Sequence, residues 1–274
     1  DGIRSSDNQM MASGLCLTAA GLAFSYATPV HTLSPVRPLR SIFHPALFLS
    51  IVGQLVIHVF VMNYATELVH AATGEKAAFP EAIPIAKVSE EEKKNASEAQ
   101  RSFWEQGPPF EPCLLNTVIF LIETVQRVCV MLVNYKGRPF MMGSLENKTL
   151  LLSLAALFIG SFMAAFEVVP YLNNKLQFVS MPDDAFRYKV LGLLLFTVVG
   201  TYGWDTLCQF VFAREILLQG YRDSWNVLPK DPKYLEFMAR RVFVMCGIGY
   251  LYMITDGSGF VLVAGYYAYK KGAF

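Results

Sequence analysis

The sequence predicts an all-α membrane protein: a bundle of five transmembrane helices, followed by a C-terminal apolar hairpin or re-entrant element. Three observations carry this. Hydrophobic residues make up 54% of the 274 residues and charged ones 16%, where a soluble domain carries about 25% charged. The 23 basic and 22 acidic residues are clustered, so that 10–28, 45–65, 149–166 and 190–204 contain none. These runs lack the polar residue at every third or fourth position that a half-exposed soluble helix needs, and they approach the ~20 residues that cross a bilayer. A net charge of +1 excludes nucleic-acid binding through a basic surface, and the apolar content excludes a disordered chain.

The first span is placed at 10–28, with Asp7 or Asn8 as its N-cap and Pro29 as its stop. The second, 45–65, begins on Pro45 in the favoured first turn. A polar loop over 66–113 follows, with nine acidic and five basic residues. The third span, 114–133, is long enough but carries Glu123 and Arg127. The fourth covers 149–169, closed by Pro170, and the fifth 188–213. Beyond it, 214–274 reads as a cytosolic or interfacial extension. Within that extension Asp256-Gly257-Ser258-Gly259 splits an apolar stretch, 242–269, into halves too short to span alone. An unbroken helix there would bury an aspartate at mid-membrane, whereas Asp-Gly between β-branched and aromatic runs is a hairpin signal.

Orientation follows the basic residues next to short loops. Loops 29–44 and 135–148 together hold five Lys or Arg and one acid, which puts them, and the chain after 213, in the cytosol. Residues 1–9, 66–113 and 170–187 are then lumenal. Asn95-Ala96-Ser97 is a glycosylation sequon on the lumenal side; Asn147-Lys148-Thr149 is one on the cytosolic side, where it should stay bare. Residue 1 is Asp, with no charged segment and cleavage site ahead of the first span, and the opening reads as a loop within a longer protein.

No catalytic or metal-ligand motif stands out. The five cysteines are scattered, mostly inside apolar runs, where a thiol acts as a small hydrophobe. His58 lies one turn after Gln54; a proton relay is one reading and interhelical hydrogen bonding the favoured one. Glu123 and Arg127, four apart with the acid first, read as an intramembrane pair facing the bundle. Asp205, one turn before Gln209, reads as a boundary carboxylate. Asp7, Asn8 and Gln9 precede a span rich in small residues, which permit close packing or a concave wall.

Several blocks in order carry a resemblance: DGIRSSDNQ before an apolar helix, SPVRPLRSIFHP before a helix containing VGQLVIH, FEPCLLNTV entering a span, NYKGRPFM leaving it, SLENK before the next, and Asp205, Gln209 and Phe210 in an Asp-x-x-x-Gln-Phe pattern. Over about residues 1–213 they resemble the C-terminal membrane region of the type V-A P-type ATPases. The resemblance implies that the five spans correspond to the sixth through tenth core helices. It implies residence in the endoplasmic reticulum membrane as a multi-pass protein, and an ATP-driven activity that dislocates mistargeted or misoriented transmembrane helices. Partners would be the bilayer, the client helices, and the upstream helices and cytosolic domains of the same ATPase. ATP and Mg²⁺ would bind in those upstream domains, whose motifs (DKTGT, TGES, GDGxND) do not occur in this chain, and no cofactor is expected here. Asp7, Gln9, Met10, Ser13 and Leu17 would line one wall of the substrate pocket. A cation-transporting P-type pump and a non-enzymatic polytopic scaffold are the rival expectations.

Overall fold

The computed structural model describes residues 5–31, 33–74, 111–227 and 240. They form seven helices: α1 (Asp7–Ser25), α2 (Pro45–Thr73), α3 (Leu114–Asn134), α4 (Lys148–Ala165), α5 (Pro170–Lys175), α6 (Asp184–Phe212) and α7 (Arg214–Val227). No strand forms among the described residues beyond a single bridge between Pro29 and Met141. By length and composition, α2, α3, α4 and α6 can each cross a membrane. In α1 the Asn8–Gln9 pair and the small residues dilute the apolar character below those four. The Asn95 sequon and the 242–269 stretch lie outside the described residues.

Capping chemistry moves several ends from where the apolar runs place them. Ser6, not Asp7 or Asn8, caps α1: its hydroxyl accepts from the Gln9 amide while the Gln9 side chain accepts from the Ser6 amide. This reciprocal box starts the helix three residues early. Helix α2 continues eight residues past Ala65 until Gly74 adopts the left-handed φ of 69° that ends it. Asp183 caps α6 through the Phe186 amide, 2.5 Å away, so the last span begins at 184 rather than 188. The predicted fourth span stops at Ala165, and Pro170 opens the separate short helix α5.

Helix α3 is central, packing against α2, α4 and α6, while α1 lies on α4. Its buried residues fall on nearly every side, from Asn116 and Phe120 through Leu121 and Val125 to Ile122 and Val133. One apolar cluster joins α2, α3 and α6 around Val61, Leu121, Val125 and Leu194. A second joins α1, α3 and α4 around Ala20, Val128, Leu150 and Leu154, with small α1 residues allowing the close approach. The outward faces of α2 and α6 stay apolar, with Ile51, Leu55 and Val56 on one and Leu195, Val199 and Leu207 on the other each more than half exposed. On a soluble protein such a surface would be far too large to leave open; in a bilayer it meets acyl chains.

The loops gather at opposite ends of the bundle. At one end the segments after α1 and α3 are stitched by Met142 N–H to Thr28 O (2.9 Å) and Val30 N–H to Phe140 O (3.2 Å). Asn147 caps α4 there and donates to Ala23 O at 2.8 Å, so this sequon side chain is engaged. Helix α7 packs on the same loop. At the other end, the start of α1 meets the start of α3 and the α5–α6 connection.

Candidate functional site: polar networks at the two ends of the bundle

At the first end, α2, α6 and the loop after α3 share one polar network. Asp205 of α6 is 5% exposed, a costly place for a carboxylate unless every lone pair is used. Lys136 Nζ donates to both its oxygens, at 2.7 and 2.8 Å, Ser50 Oγ to Oδ1 at 2.6 Å and Gln209 Nε2 to Oδ2 at 2.6 Å. Behind Ser50 the chain continues: Gln54 Nε2 donates to Ser50 Oγ (2.9 Å) and Asn134 Nδ2 to Gln54 Oε1 (3.3 Å). Each glutamine and serine sits one turn from its helical neighbour, so sequence spacing aims these groups at one point.

Two supports hold the geometry. Trp204 Nε1 donates to Leu49 O at 2.9 Å, and the indole lies over Gly53, where an added Cβ would sit 1.8 Å from Nε1. In the loop, Arg138 pairs with Glu146 (Nη2–Oε1 2.8 Å, Nε–Oε2 3.1 Å), and Gly143 N–H donates to Oε2 at 2.7 Å. The Arg138 hydrogen bond, with help from the Gly143 amide, holds the Glu146 carboxyl below its usual range, and the same contact raises the Arg138 guanidinium. A cavity of about 360 Å³ opens beside Asp205 and Lys136, bounded by this loop, α6 and α7.

At the other end Gln9 is fully buried. Its Nε2 donates to Asn116 Oδ1 (3.0 Å) and Leu176 O (2.9 Å), and Asn8 Nδ2 donates to Lys175 O (2.9 Å). Gln177, at a left-handed φ of 57°, turns the chain just after the Leu176 carbonyl. Nearby, Thr117 Oγ1 accepts from Val179 N–H at 2.9 Å.

The five residues expected along a pocket wall differ in burial. Gln9 and Ser13 turn into the packed bundle, the Ser13 hydroxyl bonded to Gln9 O at 2.9 Å. Asp7 and Met10 are exposed. Leu17 is half-buried against the α1–α4 cluster. The Glu123–Arg127 pair forms, but on an accessible stripe of α3, with side chains 38% and 45% exposed, rather than turned into the bundle. His58 departs from the expected interhelical bond: neither ring nitrogen has a partner, and its carbonyl instead accepts from Gln126 Nε2 at 3.1 Å. Among the described residues no group of three or more His, Cys, Asp or Glu is placed to hold a metal ion. Sequence reasoning left Lys136 and Ser50 unassigned; their signal lay in the NYKG block and in the one-turn spacing of Ser50 to Gln54.

What the fold defines is a polytopic α-helical membrane segment, pinned by buried polar clusters where its helices emerge. No family model matches the chain. It is 31% identical over 224 residues, 82% of its length, to an endoplasmic reticulum transmembrane helix translocase of Schizosaccharomyces pombe. It is 30% identical over 211 residues, 77% of its length, to the protein of that name in Saccharomyces cerevisiae. A probable manganese-transporting ATPase of Arabidopsis thaliana is 29% identical over 217 residues, 79% of the chain. The aligned part is 16%, 15% and 16% of these curated relatives, so the chain spans about one sixth of their length. The chain is thus similar, over about four fifths of its own length, to part of these helix translocases, in keeping with the sequence blocks that resemble the type V-A P-type ATPases.

Proposed function

We propose that this chain is the C-terminal membrane segment of an ATP-driven dislocase that removes mistargeted or misoriented helices from the endoplasmic reticulum membrane. The observation that supports this most is alignment of about four fifths of the chain with two yeast proteins named endoplasmic reticulum transmembrane helix translocase. In this reading α1, the first span, crosses the membrane along with α2, α3, α4 and α6, and these five long helices are the sixth to tenth core helices of the pump. Residues 1–213 are then one membrane domain, 66–113 its lumenal loop with Asn95 available for glycosylation, and 214–274 its extension. ATP and Mg²⁺ would act in the remainder of the protein.

The wall offered to a client is the accessible side of α1: Met10, with Asp7 at the mouth and Leu17 at its edge. Gln9 and Ser13 anchor that wall from behind. An acid beside an apolar wall suits a client helix with a short basic lumenal flank. A cation-pump reading has one observation in its favour, the name of the Arabidopsis relative. The test uses the full-length protein in microsomes, with a photoreactive amino acid at Met10. Capture of misinserted helices, lost when ATP is withheld, is the expected result. ATPase stimulation by manganese, with no helix captured, would replace the dislocase by the pump.

A further inference from the structure

Helix α7 follows α6 after a single residue and carries three distinct faces. At 3.6 residues per turn, Leu218, Tyr221 and Trp225 fall within about 60° of one another, with Glu215, Arg222 and Asn226 to one side. The face opposite packs inward: Gly220 is buried so close to the loop after α3 that an added Cβ would lie 2.8 Å from Arg138 O. The aromatic stripe stays open, with Leu218 51%, Tyr221 47% and Trp225 71% exposed. It is continuous with the membrane-facing side of α6. The Tyr221 and Tyr202 hydroxyls are 3.1 Å apart, Tyr202 lies on the outward face of α6, and Arg214 rests over the Phe210 ring at 5.2 Å.

We propose that α7 is an interfacial helix that lies in the headgroup layer at this end of the bundle, with Leu218, Tyr221 and Trp225 immersed toward the acyl chains. Tryptophan and tyrosine favour that layer because an apolar ring and a polar tip can each find their own medium there. Glu215, Arg222 and Asn226 then face water, the division of faces that holds amphipathic helices in the plane of a membrane. Continuity with α6 names the occupant as lipid: the surface that meets acyl chains on α6 passes to α7 through Phe210, with the Arg214 guanidinium over its ring at headgroup depth, and through the Tyr202–Tyr221 contact. The inference rests on α6 spanning the membrane and not on the dislocase activity, so either can fail without the other.

The chain has three tryptophans, and Trp225→Phe isolates one of them by difference. Full-length protein is placed in nanodiscs of phosphatidylcholine brominated either near the headgroup end of its acyl chains or near their middle. The signal lost in Trp225→Phe should be quenched at least about twofold more by the shallow bromine than by the deep one, and little by aqueous iodide. Strong iodide quenching with no bromolipid effect would make the stripe a water-facing surface and overturn the proposal. Protection from both quenchers would overturn it in another way, by showing that protein covers α7, whether residues 228–274 or another domain. An unfolding midpoint of Trp225→Phe equal to that of the wild type shows that the bundle is intact in the variant.

Discussion

Lys136 and Asp205 are 69 residues apart in sequence, yet the ammonium bridges both oxygens of the carboxylate, at 2.7 and 2.8 Å. The pair ties the loop after α3 to the last long helix. It also joins two of the blocks that carry the family resemblance, NYKG and Asp-x-x-x-Gln-Phe. A third, VGQLVIH, enters through Gln54, which donates to Ser50 just ahead of the block. Blocks scattered over the chain are thus parts of one site.

Lys136→Met should destabilise the protein by about 3 kcal/mol, since removing one partner strands a buried charge. Lys136→Met with Asp205→Leu should recover much of that loss, because an apolar pair needs no compensation. Thermal unfolding of the purified full-length protein distinguishes the cases. A double variant less stable than Lys136→Met alone would mean that the carboxylate is needed chiefly for Ser50 and Gln209.

The indole of Trp204 occupies the space that a side chain at position 53 would need. Gly53→Ala should therefore expel Trp204, break its bond to Leu49 O and separate α2 from α6, at a cost of about 2 kcal/mol. Trp204→Ala in the same protein should relieve the clash, so the two substitutions together should cost less than their sum. Additive losses in a double-mutant cycle would show that the glycine serves another purpose.

Much of this bundle was legible in the sequence because the bilayer demands long uncharged runs, and long runs are easy to find. Helix ends were less legible. Ser6 and Asp183 set them through hydrogen bonds a few residues outside the apolar stretch, where hydropathy is silent. The polar residues were harder still. Gln9 at the head of a small-residue helix reads as packing or as a pocket wall, with packing favoured, and hydropathy is silent on the bonds to Leu176 O and Asn116 Oδ1 that bury it. Glu123–Arg127 shows the converse: spacing predicts that the pair forms and says nothing about which side of α3 it occupies.

The Arg138–Glu146 clamp should weaken in acid. Glu146 is held below its ordinary value, so it binds fewer protons in the folded protein than in the unfolded one. Its stabilising contribution is complete above the unfolded value, near 4.5, and disappears as pH falls through the folded one. Wild type should be more stable than Glu146→Gln at pH 7 by about 1 kcal/mol. That advantage should fade below pH 4.5. Unfolding midpoints of the two proteins across that range provide the check; a gap that stays constant would assign the loop's stability to the Met142–Thr28 stitching instead.

Gln9 makes the sharpest demand on the other end of the bundle. Its side chain accepts from Ser6 N–H and donates to both Asn116 Oδ1 and Leu176 O, so one fully buried group joins α1, α3 and the α5–α6 connection. Leucine fits the volume but leaves the Ser6 N–H without its capping acceptor and takes one donor each from the Asn116 side chain and from the Leu176 carbonyl, which keeps only the Ser6 hydroxyl at 3.5 Å. Each such buried group costs about 1–3 kcal/mol, so Gln9→Leu should destabilise by about 2 kcal/mol. If Gln9 anchors the wall without touching the client, crosslinking from Met10 in Gln9→Leu should fall only with the folded fraction, and the captured species should stay the same. A change in which helices are captured, at unchanged stability, would put Gln9 in contact with the client and turn the buried face of α1 into part of the pocket.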